Sequence, residues 1–285
     1  MVLMHLQNII PKNGPTLEEV EKYINKYTNE IIVIKCGGSV LLDPNLFNKF
    51  IEDIAVINKL GLNTVVVHGG GKNIKKKLDE RNIKSEFIDG LRITNSETIK
   101  IVEEALTEIN SEIIKKLILN KCKAQPITVK KNNIIITKPE KKELFFVGNP
   151  KNIEKKKLLE IIEKKEVPVV VPMGIGEDNK IYNINADVAA GAIAKKLNSR
   201  RLLLMTDVDG VMDNNKKLVT EINSDFAKKM LEDGIISGGM IPKINTCIDA
   251  VKHGVTGVVI VDGRKPHSIL FELFSDKGAG TLIRK

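Results

Sequence analysis

The sequence predicts an α/β protein: a three-layer α-β-α sandwich with a mainly parallel, open central sheet, plus an N-terminal helix. Three observations carry this. Largely apolar runs of strand length occur at 31–34, 64–67, 167–171, 202–205 and 257–261. Stretches of helical character separate them, and continuous apolar strands that alternate with helices are buried on both faces of a parallel sheet. Glycine clusters then follow several of the runs, at the strand ends where open α/β sheets bind ligands.

Residues 1–30 read as a helical extension. Thr16 and Glu19 fit a capping box, and Leu17, Val20, Ile24 and Tyr27 fall on one apolar stripe. A helix this short is marginal alone in water, so the stripe must pack on its own subunit or on a neighbour. After the strand at 31–34, a helix is expected over 45–60, stopped by Gly61. The strand at 64–67 runs into His68-Gly69-Gly70-Gly71. Two helical stretches are expected over 95–121, and the runs at 134–136 and 145–147 suggest antiparallel strands or hairpins. A helix near 153–165 leads to the strand at 167–171, which Pro172 closes. An Ala-rich helix over 185–197, helices near 224–233 and 242–253, and the strands at 202–205 and 257–261 complete the pattern. Gly174, Gly176 and Asp178-Asn179 interrupt it near 175–185, which divides the chain into the extension (1–30) and two lobes, 31–182 and 183–285.

The 285 residues are 42% hydrophobic and carry a formal charge of +9. Lysines cluster within 72–77, 138–142 and 151–157, as solvated helix faces or as a nucleic-acid surface. With no Trp and 4% aromatic residues there is little to stack bases on, and no nucleic-acid partner is expected. The excess charge does favour small anions. Cys36, Cys122 and Cys247 lie far apart without a CxxC pair, as in reduced cytoplasmic proteins. No apolar run approaches the ~18–20 residues of a membrane span. The mildly apolar start lacks a basic segment and a cleavage site, and Pro11 follows it. A soluble, cytoplasmic protein is expected.

Five clusters carry candidate chemistry. Lys35-Cys36-Gly37-Gly38-Ser39 places a lysine and bare amides at a strand end, a phosphate cradle or a plain flexible turn. His68-Gly69-Gly70-Gly71 precedes a helix whose N-terminus suits an anion, with His68 read as hydrogen-bonded rather than catalytic. In Asp89-Gly90-Leu91-Arg92, the arginine can clamp a carboxylate or form a surface ion pair. In Asn183-Ile184-Asn185-Ala186-Asp187, Asn183 can meet an amide and a carboxylate, Asn185 can cap the next helix, and Asp187 can satisfy the helix dipole or orient lysines. Gly238-Gly239-Met240-Ile241-Pro242-Lys243 sets Pro242 at a first helical position and Lys243 in the first turn, where a cation is unfavourable without a bound anion. The loop 206–211, with Thr206, Asp207, Gly210 and Val211, suits a nucleoside. Four scattered histidines, no nucleophile elbow and no HExxH argue against hydrolase and metal sites. Two lysines, glycine amides, an arginine and one aspartate make a set suited to phosphoryl transfer.

In order and spacing, KCGGS, HGGG, DGLRIT, NINAD, TDVDGV, GGMIPK and GAGT resemble the amino acid kinase family over residues 20–285. The resemblance implies that fold, with a substrate-binding lobe at 31–182 and a nucleotide-binding lobe at 183–285. It implies ATP-dependent phosphorylation of the side-chain carboxylate of N-acetyl-L-glutamate, with aminoadipate or glutamate as rival acids and a non-catalytic sensing module as the rival class. Lys35 and Lys243 would flank the phosphoryl group, with Asp187 holding both. Gly70, Gly71, Arg92, Asn183 and Asn185 would meet the acid, and Gly37, Gly38, Thr206, Asp207, Gly210, Val211, Gly238, Gly239 and Met240 the nucleotide. Mg²⁺ would ride on ATP oxygens and water, without a protein ligand. The extension and tail are similar to those of arginine-inhibited members, implying an L-arginine site near Tyr23, Glu272 and Gly278. A homo-oligomer is implied too, a dimer or a hexamer built as a trimer of dimers.

Overall fold

The computed structural model describes residue 7 and residues 9–285. The chain runs through α1 (Leu17–Ile24), β1 (Ile31–Cys36), α2 (Pro44–Lys59), β2 (Asn63–His68) and α3 (Gly71–Asp79). A hairpin, β3 (Phe87–Ile88) and β4 (Leu91–Arg92), precedes α4 (Thr98–Leu119), β5 (Ala124–Ile127), β6 (Ile135–Pro139) and β7 (Gly148–Ile153). Then follow α5 (Lys155–Glu163), β8 (Val167–Val170), β9 (Met173–Gly176), β10 (Ile181–Asn183), α6 (Ala186–Leu197) and β11 (Arg201–Thr206). The last part holds β12 (Glu221–Asn223), α7 (Ser224–Glu232), α8 (Met240–Lys252), β13 (Val258–Asp262), α9 (Ser268–Phe274) and β14 (Gly280–Arg284).

The central sheet has eight strands in the order β12-β14-β13-β11-β1-β2-β8-β5. Its pairings are parallel except β13 against β14, as the apolar runs predict. Strand alternation sorts its side chains into two cores. Ile32 and Ile34 of β1 join α1, α2, α3, α4 and α9, while Val33 joins α5, α6, α7 and α8. Burying one such side chain is worth about 1.5–3 kcal/mol, so a one-residue slip that exchanged the faces would be costly. Strand β1 pairs with β2 on one side and β11 on the other, so residues 31–182 and 183–285 meet inside one continuous sheet. A second sheet, β10-β9-β6-β7, stands apart from it.

The expected N-terminal extension is described from residue 9 onward, with residue 7; its positions 1–6 and 8 lie outside the described residues. The capping box is present: the Thr16 hydroxyl accepts from the Glu19 amide at 3.2 Å, and Glu19 accepts from the Thr16 amide at 3.0 Å. Val20 and Tyr27 are buried, and the edge of the Tyr27 ring meets Phe274 of α9 at 6.2 Å. The stripe therefore packs on its own chain.

Several boundaries differ from expectation. Residues 95–121 hold one helix, α4, not two. Asn110 and Ser111 look like local breakers, but the Asn110 amide donates to the Val169 carbonyl at 2.9 Å and meets His68 Nε2 at 3.2 Å, so a tertiary partner replaces the local one. The run at 145–147 is not a continuous strand; Phe145 takes φ +56° after a 3₁₀ turn and bridges to Thr94, Val147 bridges to Asn183, and strand β7 starts at Gly148. Strand β7 went unread because Gly-Asn-Pro-Lys-Asn-Ile is polar and contains proline, which an edge strand tolerates. Helix α8 starts at Met240, so Pro242 is its third residue rather than its first. Proline still fits there, because the first four helical amides have no intrahelical acceptor.

Candidate active site

Strands β1, β2 and β11 lie side by side and parallel, so Cys36, His68 and Thr206 end them along one edge of the sheet. Lys35 comes from the tip of β1. Asp187 is the second residue of α6, whose start Asn185 caps by accepting from the Asp187 and Val188 amides at 2.9 and 3.3 Å. The Asn185 side-chain oxygen is thus committed to the helix. Lys243 enters from the first turn of α8. These long-range placements converge. Lys35 Nζ lies 3.0 Å from Asp187 Oδ1, and Lys243 Nζ lies 2.6 Å from Asp187 Oδ2. The three side chains are only 12%, 9% and 16% exposed for Lys35, Lys243 and Asp187. Burial by itself would push the Asp187 carboxyl up, but the two ammonium groups hold it well below the ordinary carboxylate range. Two cations against one anion leave this buried spot positive.

A cavity of about 220 Å³ opens beside the cluster. Its lining includes Lys35, Asp187, the glycines at 37, 38, 69, 70 and 71, Arg92 and Asn183. A Cβ on Gly70 would stand 2.6 Å from Leu106 Cδ2 and 2.9 Å from Ile109 Cδ1, so a larger residue there would displace the ends of those two side chains. Arg92 is 8% exposed. Its guanidinium donates to the Gly71 carbonyl at 3.0 Å and to Ser85 Oγ, and it stacks over the Phe87 ring at 4.7 Å. Among the described residues no carboxylate oxygen lies within 4.0 Å of it. A buried guanidinium without an anion is a site waiting for one. Asn183 reaches Thr94 Oγ1 at 3.3 Å. His68 is fully buried between the Gly69 carbonyl and Asn110; burial pushes its imidazole down to about 4, so it stays neutral and structural.

The remaining candidates lie farther along the same edge. Asp207 accepts from the Ser39 amide at 2.9 Å and abuts Gly38, whose φ of +61° favours glycine. Gly210 and Val211 pack against Thr281 of β14; the Val211 side chain is buried in the core and its amide donates to Thr281 Oγ1 at 2.9 Å. Gly238, Gly239 and Met240 form the entry to α8. Tyr23, Glu272 and Gly278 share a separate cavity of about 250 Å³ with Lys26, Arg201 and Asp276. There Glu272 accepts from the Ala279 amide at 2.8 Å, and burial raises its carboxyl. Among the described residues no group of three or more His, Cys, Asp or Glu is placed to hold a metal ion, and none of the helices is long and apolar enough to cross a membrane.

The amino acid kinase family matches residues 30–262. The chain belongs to that family. It is 57% identical over 280 residues to an acetylglutamate kinase of Pelagibacter ubique, covering 98% of this chain and 97% of that one. An acetylglutamate kinase of Clostridioides difficile is 43% identical over 275 residues, covering 95% and 96%. Among solved structures, N-acetylglutamate synthase from Neisseria gonorrhoeae complexed with coenzyme A and N-acetyl-glutamate superposes with a TM-score of 0.86 at 21% identity. That likeness covers 94% of this chain but only 62% of the synthase. Carbamate kinase from Giardia lamblia bound to AMP-PNP gives 0.68 at 19% identity, covering 90% and 98%. These distant likenesses show the fold.

Three residues that support this amino acid kinase site are not among those its motifs point to. Ser85 and Phe87 fix Arg92 from a loop and a two-residue strand, and nothing in their neighbourhood marks them. Lys72 sits in a lysine run that reads as a solvated face, yet it pairs with Asp207.

Proposed function

We infer that the chain phosphorylates the γ-carboxylate of N-acetyl-L-glutamate with ATP, forming N-acetyl-L-glutamyl 5-phosphate for arginine biosynthesis. The observation that carries this is the pair of lysines held on one buried aspartate, beside a cavity that an arginine without an anion also lines. Identity of 57% to an acetylglutamate kinase across nearly the whole chain supports the acid substrate.

In this reading Arg92 and Asn183 hold the α-carboxylate and acetamido end, with Gly70 and Gly71 along its border. The γ-carboxylate then faces Lys35 and Lys243. Its oxygen attacks the γ-phosphorus of ATP, an O–P bond forms, the bond to the bridging oxygen breaks, and ADP leaves. A carboxylate is already ionised at neutral pH, so no general base is required. What the reaction needs is positive charge where two anions meet, and preorganised cations and amides supply it. Gly37 and Gly38 would present amides to the phosphates, with residues 206–211 and 238–240 on the nucleoside side. Both Asp187 oxygens are engaged by lysines, which suits Mg²⁺ carried on the nucleotide's own oxygens.

Trapping of acyl phosphate with hydroxylamine tests the reading. Hydroxamate is expected with ATP and acetylglutamate, and far less with glutamate, aspartate or aminoadipate. Equal or faster trapping with another acid reassigns the substrate, and none with any acid removes the kinase.

The second cavity supports L-arginine as an effector. Glu272 is a half-buried carboxylate with no Lys or Arg nitrogen within 4.0 Å among the described residues, a complement to a guanidinium. The exposed face of α1 would join dimers into a hexamer, and three free, buried cysteines fit a reducing cytoplasm. Arginine is expected to inhibit the wild type, and Glu272→Gln or removal of residues 1–28 to relieve it. A deletion variant that stays hexameric by light scattering and fully arginine-sensitive overturns this.

A further inference from the structure

Lys72 is the second residue of α3, where a cation opposes the helix dipole and is unfavourable unless an anion stands nearby. The anion it has is Asp207, 3.3 Å away, and its ammonium also lies 3.3 Å from Ser39 Oγ. The other Asp207 oxygen accepts from the Ser39 amide, and it comes within 2.5 Å of the place a Cβ on Gly38 would occupy. A carboxylate thus sits on an amide of the glycine loop, as a phosphate oxygen would, with a lysine beside it. The pair is loosely held: the side chains are 52% and 36% exposed, and such pairs contribute about 0–1 kcal/mol. A polyphosphate, with several negative charges, outcompetes one carboxylate for this ammonium.

We propose that Lys72 is a third lysine of the polyphosphate site, parked on Asp207 in the free protein and passed to phosphate oxygens when nucleotide enters. This rests on the kinase reading above. It concerns the nucleotide rather than the acid, because the Lys72 ammonium reaches Ser39 and Asp207 in the loops after β1 and β11, whereas the Arg92 guanidinium donates to Ser85 and to the Gly71 carbonyl. It also makes nucleotide entry exchange an ion pair that joins the two halves of the chain, Lys72 in one and Asp207 in the other. Lys72 is a binding residue here; Lys35 and Lys243 remain the cations of the transfer step.

Calorimetric titration of the wild type, Lys72→Met and Lys72→Arg with ATP, ADP and AMP tests this. Loss of a charged hydrogen bond at a half-exposed site corresponds to about a tenfold weaker Kd. Lys72→Met is expected to lose that much for ATP and ADP and nothing for AMP, with an unchanged melting temperature. Lys72→Arg is expected to recover most of the loss. A lysine that merely props the glycine loop would weaken all three nucleotides together, and that result overturns the proposal, as does unaltered ATP affinity in Lys72→Met. A wild type that binds no ATP at all would instead overturn the kinase reading itself.

Discussion

Lys243→Ala is expected to lower turnover about 10²–10³-fold, the usual loss of about 3–4 kcal/mol when one preorganised charge-stabilising donor is removed. The fold should survive. Asp187 keeps Lys35 at 3.0 Å, so no buried carboxylate is left alone. Alanine in the first turn of α8 is a better helix former than lysine and ends the conflict with the helix dipole. Single-turnover kinetics at saturating substrates, beside circular dichroism melts, separate the two effects. Turnover close to wild type in a folded variant would take Lys243 out of the mechanism, whereas a large drop in melting temperature would make it a structural residue.

The sequence made the strands and the ends that bear the chemistry legible because both signals are local. A run such as Ile31-Ile32-Val33-Ile34, short, β-branched and followed by glycines, reads as a strand buried on both faces, and the glycine pair beyond it marks a place where backbone can approach a ligand. Residues 35, 187 and 243 were each visible as chemical types beside a helix or strand end. Their meeting on one carboxylate was not, since it depends on β11 lying beside β1 and on where α6 and α8 begin. The Arg92 clamp was half legible: the arginine and the Gly71 whose carbonyl it meets both show, but Ser85 and Phe87, which also aim it, are ordinary residues in and beside the hairpin. Lys72 was hidden in plain composition, because a lysine beside other lysines reads as solvent-facing until a carboxylate from a distant loop arrives. The misread helix over 95–121 has the same origin. Asn110 breaks helices by local preference, and its contacts to the Val169 carbonyl and to His68 of β2 explain why this one continues.

Asp187→Asn tests the same site from its other side. Asparagine has nearly the same shape, so what is lost is charge, and two buried ammonium groups are left without their shared anion. Removing one partner of a buried ion pair costs about 3–5 kcal/mol, and urea titration in anion-free buffer is expected to show a loss of that size, with turnover reduced at least as far as in Lys243→Ala. The dependence on pH follows from the direction of the shift. The Asp187 carboxyl is depressed in the folded state, so its contribution is complete above the unfolded value of about 4 and disappears only as pH falls through the lower folded value. The deficit of the variant should therefore stay constant between about pH 5 and 9. An anion can take over what the carboxylate did. Ligand stabilisation grows as RT ln(1 + [L]/Kd), and with both lysines unpaired, ATP or sulfate is expected to raise the melting temperature of Asp187→Asn by more than it raises that of the wild type. A variant as stable as the wild type without anions, or one that gains nothing extra from them, would mean that the lysines are not held by this carboxylate, and the phosphoryl site would lose its organising charge.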